Sequence, residues 1–467
     1  MLASGGDSRI TVPRGANTNR YGASPFPRAT LGYAASTAND ISLDAYRHLE
    51  AMVERWPPGG LLDAAAYRAA LELFRTRLRA AWSLPADTAI VFAPSGTDLE
   101  FVALALARAS SGEPVTNILL GQDEVGSGCA FAAAGRHFAD ETALSQAFRK
   151  GQALEGLGDT RLIDVPVRDR AGLPVSSAAM AAAIGQAAAQ AQNAGRHPLA
   201  HVVHGSKTGL VLPELGEIDR LRASHSGTLT LVVDACQARI EPDALRAYLD
   251  RDAIVLLTGS KFIGGPPFSG IALVPAGFRP RRALPPGLAA IFRRAEWPQE
   301  WSGCDHLPEG ANPGLLLRLA AALFELERFA AIAADDRARV IARFGAAVRD
   351  LASRLGAELV APALAGGALH TATLATLDLS RLPGRPDFAT AQRWCQVLAA
   401  RGMRLGQPVR CVRDGAGGWA GTLRLSLSMP LIAGLAGLDE TRLDRRFGSD
   451  MARIAQVLEA AQRQIAA

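Results

Sequence analysis

Lysine is scarce in this chain, so its few positions are the first candidates for chemistry. The 467 residues include 50 lysines and arginines, and only Lys150, Lys207 and Lys261 are lysine. A desolvated lysine can lose its proton and form a Schiff base, whereas arginine stays charged. Lys261 follows the apolar residues 253–257 and lies in the glycine-rich stretch 258–265. This pattern predicts a lysine at the carboxyl end of a buried strand, where open α/β sheets bind ligands.

A carboxylate and an anion-binding turn are expected at the same edge of the sheet. Asp234 follows the apolar residues 229–233. Ser95, Gly96 and Thr97 follow another apolar run and precede a helical stretch at 99–108. Small hydroxyl and glycine residues at a helix start leave backbone N–H groups available, and the helix dipole favours an anion there. The chain therefore offers an anion cradle, an acid and a lysine in that order.

These three parts are the ones needed to hold pyridoxal 5'-phosphate. The helix start would take the phosphate, and Asp234 would keep the pyridine nitrogen protonated so that the ring acts as an electron sink. Lys261 would form the internal aldimine. The sequence thus predicts a pyridoxal phosphate enzyme.

The chain resembles fold type I pyridoxal phosphate enzymes, in particular the class V aminotransferase and cysteine desulfurase group, over about residues 60–430. The resemblance rests on four stretches: Ser95-Gly96-Thr97, Val233-Asp234-Ala235-Cys236-Gln237, Thr258-Gly259-Ser260-Lys261 and Leu423-Arg424-Leu425-Ser426. It implies that Asp234 meets the ring nitrogen and that Gln237 lies near the ring hydroxyl. It also implies that Thr258 and Ser260 help to hold phosphate, that Arg424 grips a substrate carboxylate, and that the protein is a homodimer with its active site at the interface.

Two departures from the family pattern concern the groups beside the cofactor ring. The turn at 121–128 has no histidine or aromatic residue to stack on the ring, and Val125 or Glu124 lies nearest by position. Where the family often has an asparagine facing the ring, this chain has Ser206 or Lys207. Lys207 could pair with a substrate anion or the cofactor phosphate, or be a surface lysine. The stretch 205–208 lacks the glycines of a nucleotide-binding P-loop.

Three further residues are candidates for the substrate pocket. Asn19 and Arg20 lie in an unusual glycine- and asparagine-rich stretch. Cys411 precedes Arg424 by 13 positions, a placement that resembles the cysteine of one desulfurase branch. Its neighbours Arg410 and Arg413 would favour the thiolate.

The reaction type stays open between several chemistries. Lys261 as proton shuttle and Arg424 as carboxylate clamp suffice for an aminotransferase. A carbon–sulfur or other side-chain lyase, similar to cysteine desulfurase or selenocysteine lyase, would use Cys411. Decarboxylation or condensation is a third class, and a non-enzymatic cofactor-binding module a fourth. The fourth would be expected to lack Lys261 or Asp234, and both are present.

Composition indicates a large core and no strongly charged partner. The hydrophobic share is 49%, and the formal net charge of +5 is spread thinly, so neither nucleic acid nor a membrane surface is implied as a partner. There is no 18-residue apolar run and no signal-peptide pattern at the start, which favours a cytoplasmic protein. The five cysteines are unclustered, so we expect free thiols and no metal site.

The elements that must position these residues form a predicted α/β fold. A large, doubly wound, mainly parallel seven-stranded sheet is expected over 61–300, followed by a smaller α+β domain over 301–467. Residues 1–60 are expected to form an arm and a helix, at 42–56, that contact the small domain or a partner subunit. The seven strands are predicted near 88–92, 116–120, 161–165, 200–204, 229–234, 253–258 and 270–274.

Overall fold

The computed structural model describes residues 1–57, 62–122, 124–126, 128–280, 282–360, 370–415 and 417–466. The strands in this part of the chain are β1 (Leu31–Tyr33), β2 (Ala89–Ala93), β3 (Val115–Leu120), β4 (Arg161–Val165), β5 (His197–His204), β6 (Val211–Leu212), β7 (Thr230–Asp234), β8 (Ile254–Thr258), β9 (Gly270–Val274), β10 (Glu358–Leu359), β11 (Leu374–Asp378), β12 (Met403–Leu405) and β13 (Thr422–Ser426). The α-helices are α1 (Leu43–Val53), α2 (Ala64–Ala81), α3 (Leu99–Ser111), α4 (Cys129–Ala133), α5 (Ser177–Asn193), α6 (Leu215–Ser224), α7 (Pro242–Leu249), α8 (Pro313–Ala330), α9 (Ala334–Leu355), α10 (Phe388–Ala400), α11 (Met429–Leu435) and α12 (Glu440–Ala466).

The seven predicted strands form one large sheet, with shifts of up to three residues at their ends. Their spatial order is β2-β9-β8-β7-β5-β3-β4, and the short β6 pairs with β5 in addition. Strand β9 is antiparallel to β2 and β8, and the other neighbours on this path are parallel. The expected mainly parallel sheet is therefore confirmed.

Both faces of this sheet are covered, which explains why its central strands are continuous apolar runs. Val232 of β7 belongs to the core that includes α3, and Val233 belongs to the core that includes α5 on the other face. Successive side chains of a strand point to opposite faces, so an uninterrupted apolar run is buried on both sides. Strand ends are where polar residues can appear.

A smaller unit carries the C-terminal part of the chain. Strands β10, β11 and β13 form an antiparallel sheet, and α9 packs against α12. Strand β1 pairs in parallel with β12, so the N-terminal segment joins this unit. The predicted helix at 42–56 is α1, which begins after the N-cap Ser42 and ends at Val53.

The first residues of the chain pack on the chain's own body. The fully buried Arg318 of α8 donates hydrogen bonds to the carbonyls of Leu2, Ser4 and Gly5. Its Nε also donates to the Phe268 carbonyl at 2.7 Å. Arg318 thus ties the start of the arm to the edge of the large sheet, rather than leaving it to project outward.

Within the described residues, none of the helices is both long enough and apolar enough to cross a bilayer.

Candidate active site

A cavity of about 250 Å³ lies at the carboxyl ends of β5, β7 and β8, beside the start of α3. Most residues predicted from the sequence for catalysis or cofactor binding line it, namely Ser95, Gly96, Thr97, Ser206, Asp234, Gln237, Thr258, Ser260, Lys261 and Arg424. The fold thus brings together residues that are more than 300 positions apart in the sequence.

The turn before α3 is held by its own hydroxyl groups. Ser95 Oγ accepts hydrogen bonds from the amides of Thr97 and Asp98, both at 3.2 Å, and donates to Asp98 Oδ2 at 2.6 Å. A Cβ on Gly96 would lie 2.6 Å from Cγ2 of Thr258. Glycine is therefore required for this turn to pack on the end of β8. Burial, together with the negative charge of Asp7, raises the pKa of Asp98 to about 7.

Arg9 extends from the N-terminal arm to this turn, and the sequence reasoning did not identify it. Its Nη1 lies 3.3 Å from Thr97 Oγ1, and its Nη2 lies 3.4 Å from Ser95 Oγ. Asp7 orients the guanidinium through contacts at 2.7 and 2.8 Å. Burial disfavours the charged form, but the hydrogen-bonded Asp7 outweighs it and raises the pKa of Arg9. A permanent positive charge therefore faces the anion cradle.

The Arg9 side chain is fixed by aromatic rings as well. Its guanidinium carbon lies 4.5 Å from the ring centroid of Phe138 and 5.1 Å from that of Phe268. A planar guanidinium stacks on aromatic rings better than an ammonium group does, so these contacts favour arginine over lysine. Phe268 and Tyr21 also line the cavity, so its aromatic surface comes from outside the turn at 121–128.

Asp234 ends β7, and the side chains of His201 and Glu100 are buried on its own side of the sheet. Its Oδ1 accepts a hydrogen bond from the Cys236 amide at 2.9 Å. Nε2 of His201 on β5 lies 3.2 Å from Oε2 of Glu100 on α3, and both side chains are almost fully buried. Burial opposes the charge of His201, but Glu100 and, more weakly, Asp234 raise its pKa.

Lys261 lies in the turn after β8, and the N-terminal arm braces its backbone. Asn39 Nδ2 donates to the carbonyls of Ser260 and Lys261 at 3.0 and 2.9 Å. Among the described residues, Nζ of Lys261 has no hydrogen-bond partner. Thr258 Oγ1 donates to the Cys236 carbonyl at 2.7 Å. Its role as a phosphate ligand stays a prediction.

Gln237 and Ser206 line the cavity and also hold its walls. Gln237 Oε1 accepts a hydrogen bond from Arg239 Nη1 at 2.9 Å. Ser206 Oγ accepts from the amides of Thr208 and Leu210, both at 3.2 Å. Lys207 lines the cavity beside Ser206, and burial followed by the nearby positive charge lowers its pKa to about 8.

Arg424 projects from β13 into the far side of the cavity. Its Nε donates to the Gln407 carbonyl at 2.8 Å, and its Nη1 donates to the Lys207 carbonyl at 2.9 Å. These bonds fix the plane of the guanidinium. Its Nη2 has no hydrogen-bond partner among the described residues, so this nitrogen can receive a carboxylate.

Glu124 and Val125, the two candidates for the ring-stacking position, both line the cavity. Glu124 forms an ion pair with Arg168 at 3.1 Å and accepts a hydrogen bond from Thr208 Oγ1. Val125 packs in a small apolar cluster with Leu119. Val125 is thus the apolar surface at this turn, whereas the Glu124 carboxylate is engaged elsewhere.

Three predicted residues lie outside this cavity. Asn19 Oδ1 accepts hydrogen bonds from the amides of Tyr21 and Ala23, so Asn19 organises its own loop. Arg20 lines a separate, outer hollow. Cys411 is 5% exposed and does not line the cavity.

The surroundings of Cys411 do not favour the thiolate that the sequence predicts. Burial raises the pKa of Cys411 to about 11, even though Arg168 and Arg424 oppose this shift. The flanking arginines, Arg410 and Arg413, stack over Phe388 and Trp419. Their guanidinium groups are therefore occupied by aromatic rings.

Two other thiols line the cavity, and neither is activated. Burial raises the pKa of Cys129 to about 12 and that of Cys236 well above its ordinary value. Among the described residues, no group of three or more histidine, cysteine or acidic side chains could hold a metal ion.

Comparison with known proteins identifies the architecture. A NifS-like protein superimposes with a TM-score of 0.57 at 14% identity, over 92% of this chain and 99% of that one. A C-DES variant with glycine covalently linked to its PLP cofactor gives a TM-score of 0.55 at 18% identity, over 91% and 96%. Serine palmitoyltransferase from S. paucimobilis, in a lysine-to-alanine form with a bound PLP–myriocin aldimine, gives 0.51 at 12% identity, over 94% and 87%.

At these identities the likenesses show the fold alone. The chain has the fold type I architecture of pyridoxal phosphate-dependent enzymes, with a smaller C-terminal domain, as the sequence predicts. No protein-family model matches the chain, and no curated protein matches it in sequence.

Proposed function

We propose that the protein is a pyridoxal 5'-phosphate-dependent enzyme that acts on an amino acid through Lys261, and that it is an aminotransferase. One observation carries this proposal. A lysine, a carboxylate and an anion cradle lie at three strand ends around one cavity, as residues Lys261, Asp234 and Ser95–Thr97. The proteins with the same fold include enzymes described with bound PLP, which supports the choice of cofactor.

The residues present fit this cofactor. A Cβ on Gly96 would lie 2.6 Å from Thr258 Cγ2, so only glycine lets the cradle pack against the end of β8. Thr97 offers a hydroxyl donor and Arg9 a guanidinium donor there, whereas the hydroxyl of Ser95 donates to Asp98. Charge-assisted hydrogen bonds from arginine are among the strongest available to phosphate. Arg9 is proposed as a phosphate ligand in addition to the residues predicted from the sequence.

When bound, pyridoxal phosphate supplies an electron sink that stabilises negative charge at the substrate's carbon alpha. Asp234 would hold the ring nitrogen through its carboxylate and would keep that nitrogen protonated. Gln237 lies on the same segment and faces the ring hydroxyl in this proposal.

Lys261 would hold the cofactor through Nζ and, once the substrate has displaced it, would take up and return the proton of the substrate's carbon alpha. Its backbone is braced by Asn39, which limits where Nζ can reach. Arg424 holds the substrate carboxylate through its unengaged Nη2. These contacts orient the bond that loses the proton, and orientation of this kind can contribute a large share of the rate.

Transamination requires only these groups, whereas thiol-dependent desulfuration requires a reactive cysteine. Cys411 is buried, lies outside the cavity and has a pKa of about 11. Cys129 and Cys236 line the cavity but have raised pKa values. The geometry therefore favours the aminotransferase over a desulfurase that uses Cys411.

The absorption spectrum of the purified protein with pyridoxal phosphate tests this proposal. We expect a visible band that Lys261→Ala abolishes and Lys150→Ala leaves unchanged. Adding an amino acid should bleach the band, with release of the matching keto acid. Absence of any band in the unmodified protein would refute the proposed cofactor. Sulfide release from cysteine that depends on Cys411 would replace the aminotransferase with the lyase.

We also propose a homodimer with the active site near the subunit interface, by resemblance to the family. Exposed Phe26 and Leu43 on the N-terminal segment are available for such contacts. Sedimentation velocity on the cofactor-loaded protein tests this, and a monomer at micromolar concentration would refute it.

A further inference from the structure

Arg239 is a buried arginine whose charge is not balanced by an ion pair. Its side chain is 1% exposed, and its Nη2 has no hydrogen-bond partner among the described residues. None of the described acidic side chains forms an ion pair with it. Burial, followed by the positive charge of Arg424, lowers its pKa to about 9, so Arg239 is charged at neutral pH. A buried charge without an acidic partner costs free energy, and its position therefore calls for a reason other than stability.

Three groups hold the guanidinium of Arg239 in place. Its Nε donates to Thr373 Oγ1 at 3.0 Å, and its Nη1 donates to Gln237 Oε1 at 2.9 Å. Its guanidinium carbon lies 5.3 Å from the ring centroid of Phe262, the residue after Lys261. Arg239 itself does not line the cavity. It reaches the cavity only through its contact with Gln237, which does line it.

The contact with Arg239 decides which end of the Gln237 amide is left for the cavity. A guanidinium has donors only, so the amide must turn its oxygen toward Arg239. The amide nitrogen, Nε2, is the other end, and it has no hydrogen-bond partner among the described residues. Gln237 therefore offers a donor to a group bound in the cavity, and not an acceptor.

The titratable groups around Arg239 leave its charge in place. Arg424 on β13 is itself positive. Burial lowers the pKa of His204 to about 4 and also lowers that of His370, so both imidazoles are neutral at pH 7. Glu241 partly opposes the shift of His370. A charged donor polarises the amide that it binds and strengthens the hydrogen bond that the amide donates in turn. An acceptor that carries negative charge suits this donor best.

We propose that Arg239 is a positioning residue that turns the Gln237 amide so that Nε2 donates to the ionised ring hydroxyl of pyridoxal phosphate. Arg239 does not touch the cofactor. It acts through Gln237 and stabilises the negative charge of the ring oxygen. This inference rests on the proposed function and deepens its account of Gln237.

The pH dependence of the Lys261-dependent absorption band in the cofactor-loaded protein tests the inference. A negative ring oxygen favours the protonated form of the linkage between Lys261 and the cofactor. A positive charge behind the donor to that oxygen weakens this attraction. Arg239→Met removes the charge, so the linkage should keep its proton to higher pH, and the midpoint should rise by about one pH unit. Arg239→Lys, which keeps the charge, should restore most of the original midpoint.

A purely structural role for Arg239 predicts a different result. Because Arg239→Met removes an unpaired buried charge, we expect the urea midpoint of unfolding to be maintained. Arg239→Gln keeps a donor for Thr373 and should raise the absorption midpoint in the same way, which provides a second variant if the methionine protein does not fold. Loss of stability with an unchanged absorption midpoint would show that Arg239 only braces the fold.

Arg246→Met is the matched control. Arg246 is the next arginine along the chain; it lies on α7, its side chain is 43% exposed, and it does not line the cavity. This substitution should leave the absorption midpoint unchanged. A rise equal to that of Arg239→Met would contradict a specific role for Arg239.

A pair of cofactor analogues separates the ring hydroxyl from the rest of the cofactor. The probes are pyridoxal phosphate and its 3-deoxy analogue, which lacks that hydroxyl, and the readout is calorimetric binding to the cofactor-free protein. Arg239→Met and Gln237→Leu should each weaken binding of pyridoxal phosphate about 3- to 10-fold and leave the affinity for the 3-deoxy analogue unchanged. Because Arg239 acts through Gln237, the double variant should bind pyridoxal phosphate as Gln237→Leu does.

The outcomes distinguish this inference from the proposed function. An unchanged absorption midpoint in Arg239→Met would overturn the inference, as would equal weakening of both analogues or additive losses in the double variant. In each of these cases the absorption band of the unmodified protein remains, and the proposed function stands. Absence of that band in the unmodified protein would refute the proposed function and this inference with it.

Discussion

The packing of Gly96 against Thr258 gives a prediction that needs no cofactor. In Gly96→Ala the new Cβ would lie 2.6 Å from Thr258 Cγ2, while the next neighbour, Cys236 Sγ, is at an ordinary 3.8 Å. Thr258 is 4% exposed and its Oγ1 donates to the Cys236 carbonyl at 2.7 Å. The threonine therefore has little freedom to turn away.

The magnitude follows from these contacts. Overpacking of a filled site costs about 1–3 kcal/mol, and rotating Thr258 would break a hydrogen bond of about 0.5–1.5 kcal/mol. Replacing glycine restricts the unfolded chain and returns about 0.4–1 kcal/mol. Together these contributions predict that Gly96→Ala lowers the free energy of unfolding by about 2 kcal/mol, in a range of about 0.5–4 kcal/mol.

Thr258→Ser is the second substitution of a double-mutant cycle, because it removes Cγ2 and keeps the hydroxyl. In that background Gly96→Ala should be neutral or slightly stabilising, which corresponds to a coupling energy of about 1–3 kcal/mol between the two positions. The assay is urea-induced unfolding of the four proteins, followed by tryptophan fluorescence.

Gly216→Ala is the control substitution. Gly216 lies in α6, and a Cβ there meets nothing within 4 Å, so this change should not destabilise the protein. The prediction is contradicted if Gly96→Ala lowers the free energy of unfolding no more than Gly216→Ala does. It is also contradicted if Gly96→Ala lowers that free energy equally with serine and with threonine at position 258.

Three more outcomes are expected. Arg9→Gln should weaken binding of pyridoxal phosphate about 10- to 100-fold and leave the affinity for pyridoxal, which lacks the phosphate, unchanged. An equal loss of affinity for both ligands in an absorption titration would show that Arg9 does not bind the phosphate. The pKa of Asp98 is about 7 in the folded protein, whereas in the unfolded chain the carboxyl loses its proton near pH 4. The free energy of unfolding should therefore fall as the pH rises from 4 to 7, and Asp98→Asn should remove this part of the fall. Urea midpoints of the two proteins that change in parallel with pH would contradict this prediction. Iodoacetamide at pH 7.5 should leave Cys411 and Cys236 unmodified in the native protein and alkylate both in urea, because burial raises the pKa of both thiols. Mass spectrometry reads the modification. Rapid alkylation of Cys411 in the native protein would favour the lyase activity again.

The large sheet and most of the cavity could be predicted because one physical pattern encodes both. Central strands buried on two faces are uninterrupted apolar runs, so the polar residue that ends each run marks the ligand edge. Asp234 and Lys261 were found in this way, and both line the cavity.

The contributions of the N-terminal arm could not be predicted from local pattern. Arg9 lies in a glycine-rich stretch without periodicity, and its contacts at Thr97 are 88 positions away. The His201–Glu100 pair depends on how α3 packs on β5, which neither segment encodes alone. For Cys411, the local sequence suggests more than the fold provides. Its neighbours Arg410 and Arg413 were expected to favour the thiolate, but their side chains stack on Phe388 and Trp419.

The docking of the arm on Arg318 also fixes when the active site can be completed during synthesis. Arg9 leaves the ribosome early. Lys261 follows it by roughly 250 positions, and Arg318, which anchors the arm, follows it by roughly 300. At about 5–20 residues per second, the ribosome needs roughly 15–60 s to add them. Until then the arm has no surface to dock on. A nascent chain halted before Arg318 should therefore expose the arm to protease, and full-length protein should protect it.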